Sequence, residues 1–412
     1  MADGATVDLD AFRTEVRDWL EANYPKALRK MTAEEQEQAA YDPTSRTDAQ
    51  DQWRKAMGEK GWGTPLWPKK YGGGGLTPQQ NAVLQSEMRK IGAVNPIQGM
   101  GPGMFGATLL EYGTEEQKLR HLIPISRGEQ RWCQGFSEPG AGSDLAGLQT
   151  KAEDKGDHWL INGSKIWTSG GQYADWCFCL TRTDTTRKHE GITFILVPMH
   201  NNGVEVRPIK LIAGSSPFCE TFFTDAKASK EDTVGPVNGG WTVAKRLLQH
   251  ERSGMGGARG AAEDRPKPGE KKPEHPVIEA AKKYIGTDAK GRIADLDIRN
   301  RLIDWQMSER ALRVTNLRNM AEARSNTGPS AATSIMKNAS MKVSQDRAEL
   351  MLEIMGHQGL GWEGEGFSPQ ELSAVRGWLS GKAGSIFGGS NEIQSNIISK
   401  RILGLPDATR SV

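Results

Sequence analysis

Two short segments combine hydroxyl and aromatic side chains with glycines, and residues of these types can bind a flat polar ring. The first, Trp132–Asp144, reads WCQGFSEPGAGSD and places Ser137 and Ser143 on either side of a glycine-containing turn. Glycines expose backbone N–H groups, so such a loop can donate hydrogen bonds to carbonyl or phosphate oxygens. The second, Lys165–Ser169, reads KIWTS and offers an indole face with two more hydroxyls. Together they predict a pocket for a planar heterocycle with polar edges.

Two other motifs indicate ordinary structure. Gly101–Gly106 reads GPGMFG and fits the dinucleotide pattern GxGxxG, but that pattern needs a strand before it. Asn95–Gln98 precedes it within a helical region, so we expect a flexible glycine-rich connection. Cys177 and Cys179 alternate in a predicted strand and lack a second Cys or His pair at metal spacing. They are therefore predicted to be buried core cysteines, with no metal site.

Composition excludes several classes of protein. The chain has 412 residues, enough for two or three domains, and 53 basic against 51 acidic residues. This balance argues against a nucleic-acid or anionic-membrane partner. The longest apolar stretch, Ile192–Pro198, is too short to cross a bilayer. An acidic N-terminus without a signal pattern, and four cysteines without framework spacing, predict a cytoplasmic protein.

The pattern of apolar residues gives an order of helix, then β, then helix. Apolar residues recur every three or four positions in Leu9–Tyr24, which predicts a helix. Similar spacing predicts helices over Asp51–Gly61, Thr77–Ile91, Ala294–Ser325, Ala331–Met355 and Glu392–Ile402. Short β-branched and aromatic runs predict strands over Trp159–Trp167, Ala174–Thr183, Gly191–Pro198 and Val204–Ile209. We predict an α+β fold with an N-terminal helical domain, a middle antiparallel β-domain and a C-terminal helical bundle.

The expected domain boundaries follow these changes of pattern. Residues 1–130 form the N-terminal helical domain, residues 131–238 the β-domain, and residues 239–412 the C-terminal helical domain. Ser253–Pro276 is rich in glycine, proline and charge, and predicts a long exposed loop or partly disordered insertion.

Four segments in this order resemble signatures of the acyl-CoA dehydrogenase family. Phe136–Asp144 resembles its first signature, and Lys165–Ser169 its flavin-stacking tryptophan segment. Gly113–Lys118 resembles its N-terminal helix junction. Gly388–Gln394 (GGSNEIQ), leading to Arg401–Pro406, resembles its C-terminal segment. The resemblance covers most of the chain and implies the same helical–β–helical architecture and an FAD cofactor.

The resemblance also implies which residues bind FAD and substrate. Ser137 would lie near the pyrimidine edge of the flavin, and Ser143 would also reach the coenzyme A part of the substrate. Arg252 and Gly389 are further expected substrate contacts. The residues expected to bind the cofactor are Gln134, Phe136, Ser137, Gly142, Ser143, Trp167, Thr168, Ser169, Ser390 and Glu392.

The catalytic base departs from the commoner family pattern. Dehydrogenation needs a carboxylate to take the α-proton, and most family members carry it directly before the Gly-(Thr/Ser) of the C-terminal segment. Gly388 stands there and has no side chain. A subset resembling isovaleryl- and long-chain-type enzymes carries the glutamate on a C-terminal-domain helix before an arginine. Glu251 and Arg252 match that pattern, so Glu251 is the expected base.

Gly388 keeps a possible role through its backbone. In the family, the N–H at this position and a ribityl hydroxyl of the flavin hold the thioester oxygen, and a glycine retains that N–H. The missing side chain leaves space near the α-carbon, which favours branched, cyclic or otherwise bulky acyl groups.

Two further departures concern the FAD pyrophosphate and assembly. The family's Arg-x-x-Phe-Gly stretch has no clean match, since Lys282–Gly286 reads KKYIG, and its Gln-x-x-Gly-Gly becomes EIMGH over Glu353–His357. The sequence therefore does not establish whether the chain has the family's cross-subunit half of the FAD site or its usual tetramer. We expect a homodimer or homotetramer, with a hetero-oligomer as an alternative.

Three functions remain open at this point. The first is FAD-dependent α,β-dehydrogenation of an acyl-CoA, with electrons passing to an electron-transferring flavoprotein. The second is a flavoprotein of the same fold doing non-oxidative acyl-CoA chemistry, because Gly388 replaces the usual base. The third is a non-catalytic partner subunit of an enzyme completed by a related chain.

Overall fold

A computed structural model describes residues 8–256, 274–324 and 333–406. The chain divides into two compact units. The first comprises Met1–Ile209 and Ser216–Glu251, and the second comprises Lys210–Ser215 and Arg252–Val412. Each unit is described by itself below.

Helices open the first unit. Helix α1 begins after Asp8, whose carboxylate accepts the N–H groups of Asp10 and Ala11, and it buries Phe12, Val16 and Leu20 as the apolar spacing predicts. The other N-terminal helices begin mostly at Thr capping boxes. The bounds are α1 Leu9–Asn23, α2 Ala33–Tyr41, α3 Asp48–Glu59, α4 Pro78–Lys90, α5 Gly106–Tyr112 and α6 Glu115–Ser126.

The segment that fits GxGxxG is neither a dinucleotide loop nor a flexible connection. Gly101–Phe105 forms a π-helical turn that continues directly into α5. A Cβ added to Gly106 would lie 2.0 Å from the Trp67 ring. The expectation of flexibility was therefore wrong, because this glycine allows a helix to pack closely against an indole.

The strands of the described chain form one seven-stranded sheet in the first unit, in the order β1-β4-β2-β3-β7-β6, with β5 beside β4. The four predicted strands are confirmed. The pairings are mainly antiparallel, but β1 and the start of β2 run parallel to β4. The bounds are β1 Trp132–Gly135, β2 Lys151–Asp154, β3 His158–Ser169, β4 Trp176–Arg182, β5 Ile192–Pro198, β6 Val204–Ile209 and β7 Phe218–Ser229.

The sheet core contains the cysteines. Cys177 and Cys179 are buried on one face of β4, as predicted, and both are free thiols. A Cβ added to Gly135 in the neighbouring strand would lie 2.6 Å from one sulfur and 3.1 Å from the other. Glycine at the end of β1 therefore makes room for two thiols.

Helix α7 belongs to the first unit as far as Glu251 and to the second from Arg252, and helices dominate the rest of the second unit. Helix α7 continues to Gly256, so the loop predicted from Ser253 begins later than expected; residues 257–273 lie outside the described chain. The last helix passes into a π-helical turn at Ile398–Ile402. The bounds are α7 Gly240–Gly256, α8 Pro276–Tyr284, α9 Leu296–Arg324, α10 Thr333–Met355, α11 Pro369–Gly381 and α12 Asn391–Ile397. Among the described residues, we find no helix with the length and apolar character needed to cross a membrane.

Candidate active site

The Ser-Gly loop, defined as Gln134–Ser143, starts in β1 and ends at the surface. Phe136 anchors it by packing edge-on against Phe178 and Phe194 in the core. Glu138 and Ala141 exchange backbone hydrogen bonds of 3.0 Å and close the turn. Four residues of the loop are within reach of a ligand, since Gln134 and Ser137 are half-buried and Gly142 and Ser143 are exposed.

A buried ion pair fixes this loop to β3. The Lys165 ammonium lies 2.7 Å from Glu138 Oε1 and donates to the carbonyl of Phe136 at 3.1 Å. The side chains are 0% and 8% exposed, respectively. Burial alone would raise the pKa of the Glu138 carboxyl, but the Lys165 charge and the hydrogen bonds outweigh it and lower that pKa. Glu138 is therefore a carboxylate at neutral pH.

The segment before β2 completes the surroundings of Glu138. The N–H of Gln149 donates to one carboxylate oxygen at 2.6 Å and that of Thr150 to the other at 2.9 Å. Gly163 makes this approach possible, because a Cβ there would lie 2.7 Å from Thr150 and its φ is +148°. A bulge in β3 at this glycine therefore brings two N–H donors to the buried carboxylate.

The tryptophan segment, defined as Lys165–Ser169, presents its indole outward. Trp167 has a φ of 63° and interrupts the register between β3 and β7. Its side chain is 52% exposed and contacts the ring of Phe218 edge-on. A left-handed backbone costs energy in a residue other than glycine, and such strain is typical of functional sites. The Ser-Gly loop adjoins this segment, since Ile166 donates its N–H to the carbonyl of Ser137 at 2.9 Å.

Thr168 and Ser169 differ in what they offer to a ligand. Thr168 is fully buried, and its hydroxyl is hydrogen-bonded to the carbonyl of Cys219 and to the Thr221 hydroxyl, both at 2.8 Å. Its side chain therefore stabilises the pairing of β3 with β7. Only the backbone of Thr168 remains for the expected contact with the cofactor. Ser169 is half-buried at the end of β3.

The C-terminal glycine segment, defined as Gly388–Gln394, lies in the second unit. Gly388 and Gly389 have φ values of 64° and 88°, which favour glycine. The buried amide of Gln394 donates to the Gly388 carbonyl at 2.9 Å and so fixes the turn. Within the described chain the Gly388 N–H makes no hydrogen bond, so it remains available as a donor.

Two other predicted residues stand at the start of helix α12. Ser390 caps the helix by accepting the Ile393 N–H at 3.3 Å. Glu392 occupies the first turn, where its own backbone N–H and the Ser390 hydroxyl lower the pKa of its carboxyl. Glu392 is therefore a weak proton acceptor. The expected base lies elsewhere: Glu251 and Arg252 lie in α7, and their side chains are outside the described part of the chain.

The first unit fits a flavin ring on three observations. An exposed indole stands on a strained backbone next to the Ser-Gly loop. A Cβ added to Gly140 or Gly142 would meet no described atom within 4 Å, so the backbone of the turn is open to a ligand. The donor set of serine hydroxyls and backbone N–H groups matches the carbonyl and nitrogen edge of isoalloxazine.

Comparison with known proteins agrees with this chemistry. The chain matches the descriptions "Acyl-CoA dehydrogenase, N-terminal domain" over residues 6–129, "middle domain" over residues 133–226 and "C-terminal domain" over residues 273–403. It is 34% identical over 410 residues to acyl-CoA dehydrogenase IpdE1 of Mycobacterium tuberculosis, covering 97% of this chain and 98% of that protein. The chain belongs to the acyl-CoA dehydrogenase family. It is an FAD-dependent oxidoreductase acting on CH–CH groups, as predicted.

Other relatives refine this comparison. Acyl-CoA dehydrogenase FadE34 of Mycobacterium tuberculosis is 35% identical over 85% of this chain, which covers 46% of that protein. A structure titled as the Tcur3481–Tcur3483 steroid ACAD has a TM-score of 0.74 and 27% identity, covering 99% of this chain and 100% of that one. The ChsE4–ChsE5 complex from Mycobacterium tuberculosis has a TM-score of 0.72 and 27% identity, with the same coverage. The predicted fold class and family are thereby confirmed.

Three site-building residues were not singled out from the sequence. Glu138 and Lys165 lie within the quoted motifs, but only the structure shows that they pair. A carboxylate in a serine–glycine loop and a lysine inside a β-strand are the signals that could have drawn attention to them. Gln394 ends the third motif, and its amide contact with Gly388 depends on the helix turn between them.

Proposed function

We propose that this acyl-CoA dehydrogenase oxidises the Cα–Cβ bond of a CoA thioester whose acyl group is bulky and ring-containing, of the steroid-derived class. The observation that carries this proposal is glycine at position 388, with a φ of 64° and an N–H that no described residue accepts. A glycine leaves room beside the reacting carbons and keeps the donor for the thioester oxygen. Structural relatives titled "steroid ACAD" support the same class of substrate.

Glu251 is the proposed base, taking the α-proton of the thioester. The described alternatives are poor candidates, since Glu138 is buried in an ion pair and the carboxyl pKa of Glu392 is lowered. Gly388 itself has no side chain. When bound, FAD supplies the acceptor for the β-hydride. Arg252 and Gly389 are assigned to substrate binding.

The remaining site residues are assigned to holding and orienting the cofactor and substrate. The Ser137 hydroxyl and loop N–H groups would bind the polar edge of the flavin, and the Trp167 indole would pack on the ring. Ser143 would bind the CoA portion of the thioester. Ser390 and Glu392 are assigned to the rest of FAD, together with the backbone of Thr168.

The partners and setting form part of the same proposal. An electron-transferring flavoprotein would reoxidise the cofactor. Free buried cysteines suit a reducing cytoplasm. A homodimer or homotetramer is the simplest assembly.

A hetero-oligomer is the second candidate, and one observation favours it. Two structures similar to this chain over nearly its whole length are each titled with a pair of differently named chains. The altered stretches Lys282–Gly286 and Glu353–His357 also favour a hetero-oligomer. Glu353, for example, accepts two hydrogen bonds of 2.6 Å from Arg301. A related chain would then complete the FAD site.

An anaerobic titration tests the proposed function. The protein is expressed alone and together with a second acyl-CoA dehydrogenase chain, and its FAD content and mass are measured. Flavin bleaching is then followed with butyryl-CoA, isobutyryl-CoA and the CoA thioester of a steroid carboxylic acid. We expect a yellow protein with non-covalent FAD, bleached fastest by the steroid thioester. Faster bleaching by butyryl-CoA would overturn the substrate class, and no bleaching by any thioester would favour non-oxidative chemistry.

A further inference from the structure

The ion pair between Glu138 and Lys165 joins the two segments that are assigned to the flavin. We propose that it is a positioning pair, which holds the Ser137 side of the Ser-Gly loop at a fixed distance from the Trp167 indole so that both contact one ring. The inference rests on the proposed function for the assignment of Ser137 and Trp167. Neither charged group would touch the cofactor itself.

The pair is too deeply buried to be an incidental contact. Taking two charges out of water is costly, and a hydrophobic pair of similar volume is often as stable. Here each group is satisfied by partners on separate segments: Lys165 by the Phe136 carbonyl, and Glu138 by the N–H groups of Gln149 and Thr150. The ion pair thus connects three segments: the Ser-Gly loop, strand β3 and the residues directly before β2.

The position of the pair relates it to the site. Ser137 lies between the two loop groups that the ammonium contacts, the Phe136 carbonyl and the Glu138 carboxylate. Lys165 lies two residues before Trp167, and the intervening Ile166 donates its N–H to Ser137 at 2.9 Å. A shift of the loop along β3 would therefore break the ion pair and this hydrogen bond together. The strained backbone of Trp167 needs such surroundings to persist.

A purely structural role is the alternative, and the same unit contains a matched control. Glu87 in α4 is also buried, at 3% exposure, and pairs with Arg13, Arg17 and Lys90. Its partners lie on α1 and α4, and none of them belongs to a segment assigned to the flavin. Losing the charge of Glu87 should therefore lower stability without altering the flavin site.

The experiment compares flavin affinity with thermal stability in five purified proteins. They are the wild type, Glu138→Gln, Glu138→Gln with Lys165→Met, Glu138→Asp, and Glu87→Gln. Each is stripped of FAD, and its dissociation constant, its melting temperature and the visible circular dichroism of the rebound flavin are measured. Glu138→Asp keeps the charge but shortens the side chain, so it moves the loop with little effect on folding.

We expect the three site variants to bind FAD roughly ten- to hundredfold more weakly, with an altered flavin dichroism, even where the melting temperature stays near that of the wild type. Removing both charges should restore part of the stability lost in Glu138→Gln, but not the affinity. Glu87→Gln should melt earlier and bind FAD within about twofold of the wild type.

The inference is overturned if the site variants keep wild-type affinity and dichroism, or if Glu87→Gln loses affinity in proportion to its stability. If Glu138→Gln or the double variant fails to fold, the FAD affinity of Glu138→Asp decides whether the inference holds. Failure of the proposed function would look different. In that case the wild type itself would not be bleached by acyl-CoA, whatever the variants show.

Discussion

The Ser-Gly loop and the C-terminal glycine segment are both rich in glycine, yet they are held in different ways. The loop, Gln134–Ser143, is fixed by groups distant in sequence: Lys165 from β3 and the N–H groups of Gln149 and Thr150. The C-terminal segment, Gly388–Gln394, is fixed locally by two positive φ values and by one amide six residues ahead.

This difference separates two tasks. A loop that must meet another strand across a ring needs tertiary contacts, because its own sequence does not set that distance. A turn that must present one N–H needs only the correct backbone conformation, which glycine permits without a Cβ clash. We therefore expect perturbations of the first segment to act on FAD binding and perturbations of the second to act on the thioester.

The largest effect should come from Glu251, which lies outside both segments and is the proposed base. Glu251→Gln keeps size and hydrogen bonding but cannot accept the α-proton. We expect flavin reduction by acyl-CoA to slow by roughly 10²-fold or more, with FAD still bound. Rapid mixing under anaerobic conditions measures this rate. A wild-type rate in the variant would show that Glu251 is only a residue of a helix surface.

Adding Gly388→Glu to that variant tests the commoner family position for the base. The φ of 64° disfavours any residue with a Cβ by about 1–2 kcal/mol, so the rescue should be partial and greatest for straight-chain thioesters. Gly388→Ala in the same background is the control, since it carries the strain without the carboxylate. Equal rates in the two double variants would rule out the rescue.

Gln394→Leu breaks the C-terminal glycine segment without touching the loop. The Gly388 carbonyl loses its donor, so the N–H that should hold the thioester oxygen becomes less well oriented. We expect flavin reduction to slow by about tenfold, with the FAD dissociation constant unchanged. If this variant instead lost FAD without a slower flavin reduction, the C-terminal glycine segment would act on cofactor binding, contrary to our expectation.

Ser143→Ala probes the exposed end of the Ser-Gly loop with a smaller effect. A hydroxyl that contacts the CoA portion acts equally in the ground and transition states, so KM should rise and kcat should hold. Losing one hydrogen bond of about 1 kcal/mol corresponds to roughly a fivefold higher KM. Steady-state kinetics with one thioester provides the measurement, and an unchanged KM would contradict the assignment of Ser143.

The smallest expected difference between the two segments is in the pH dependence of FAD affinity. The carboxyl pKa of Glu138 is lowered in the folded protein from an ordinary value of 4.5, so its pairing contributes stability above that pH and loses it as the pH falls through the folded pKa. We expect FAD affinity to be flat from pH 8 to about 5 and to weaken below about 4.5. Glu138→Gln should weaken the pH dependence, because an amide does not titrate. Gln394→Leu should leave it intact.

Several features were predictable because they depend on short-range patterns. The apolar spacing of Phe12, Val16 and Leu20 predicted α1, and the β-branched and aromatic run of Gly191–Pro198 predicted β5. Strand β1 and the parallel pairing to β4 were not predicted, since four residues carry too little pattern and strand direction is set by the chain path. The helical Gly101–Gly106 turn was misjudged because the Trp67 ring that selects glycine there is distant in sequence.

The family, the layout and the residue types of the site could all be inferred from the amino-acid sequence, because hydroxyls, an indole and glycines in a fixed order indicate this chemistry before any fold is known. How those residues are held became visible only in the folded protein. The tertiary structure placed the Thr168 hydroxyl inside the sheet, turned Trp167 outward and paired Glu138 with Lys165 out of contact with water. Burial and hydrogen-bond partners are properties of a three-dimensional arrangement, so residues 27 positions apart acquire a joint role only when the strands that carry them meet.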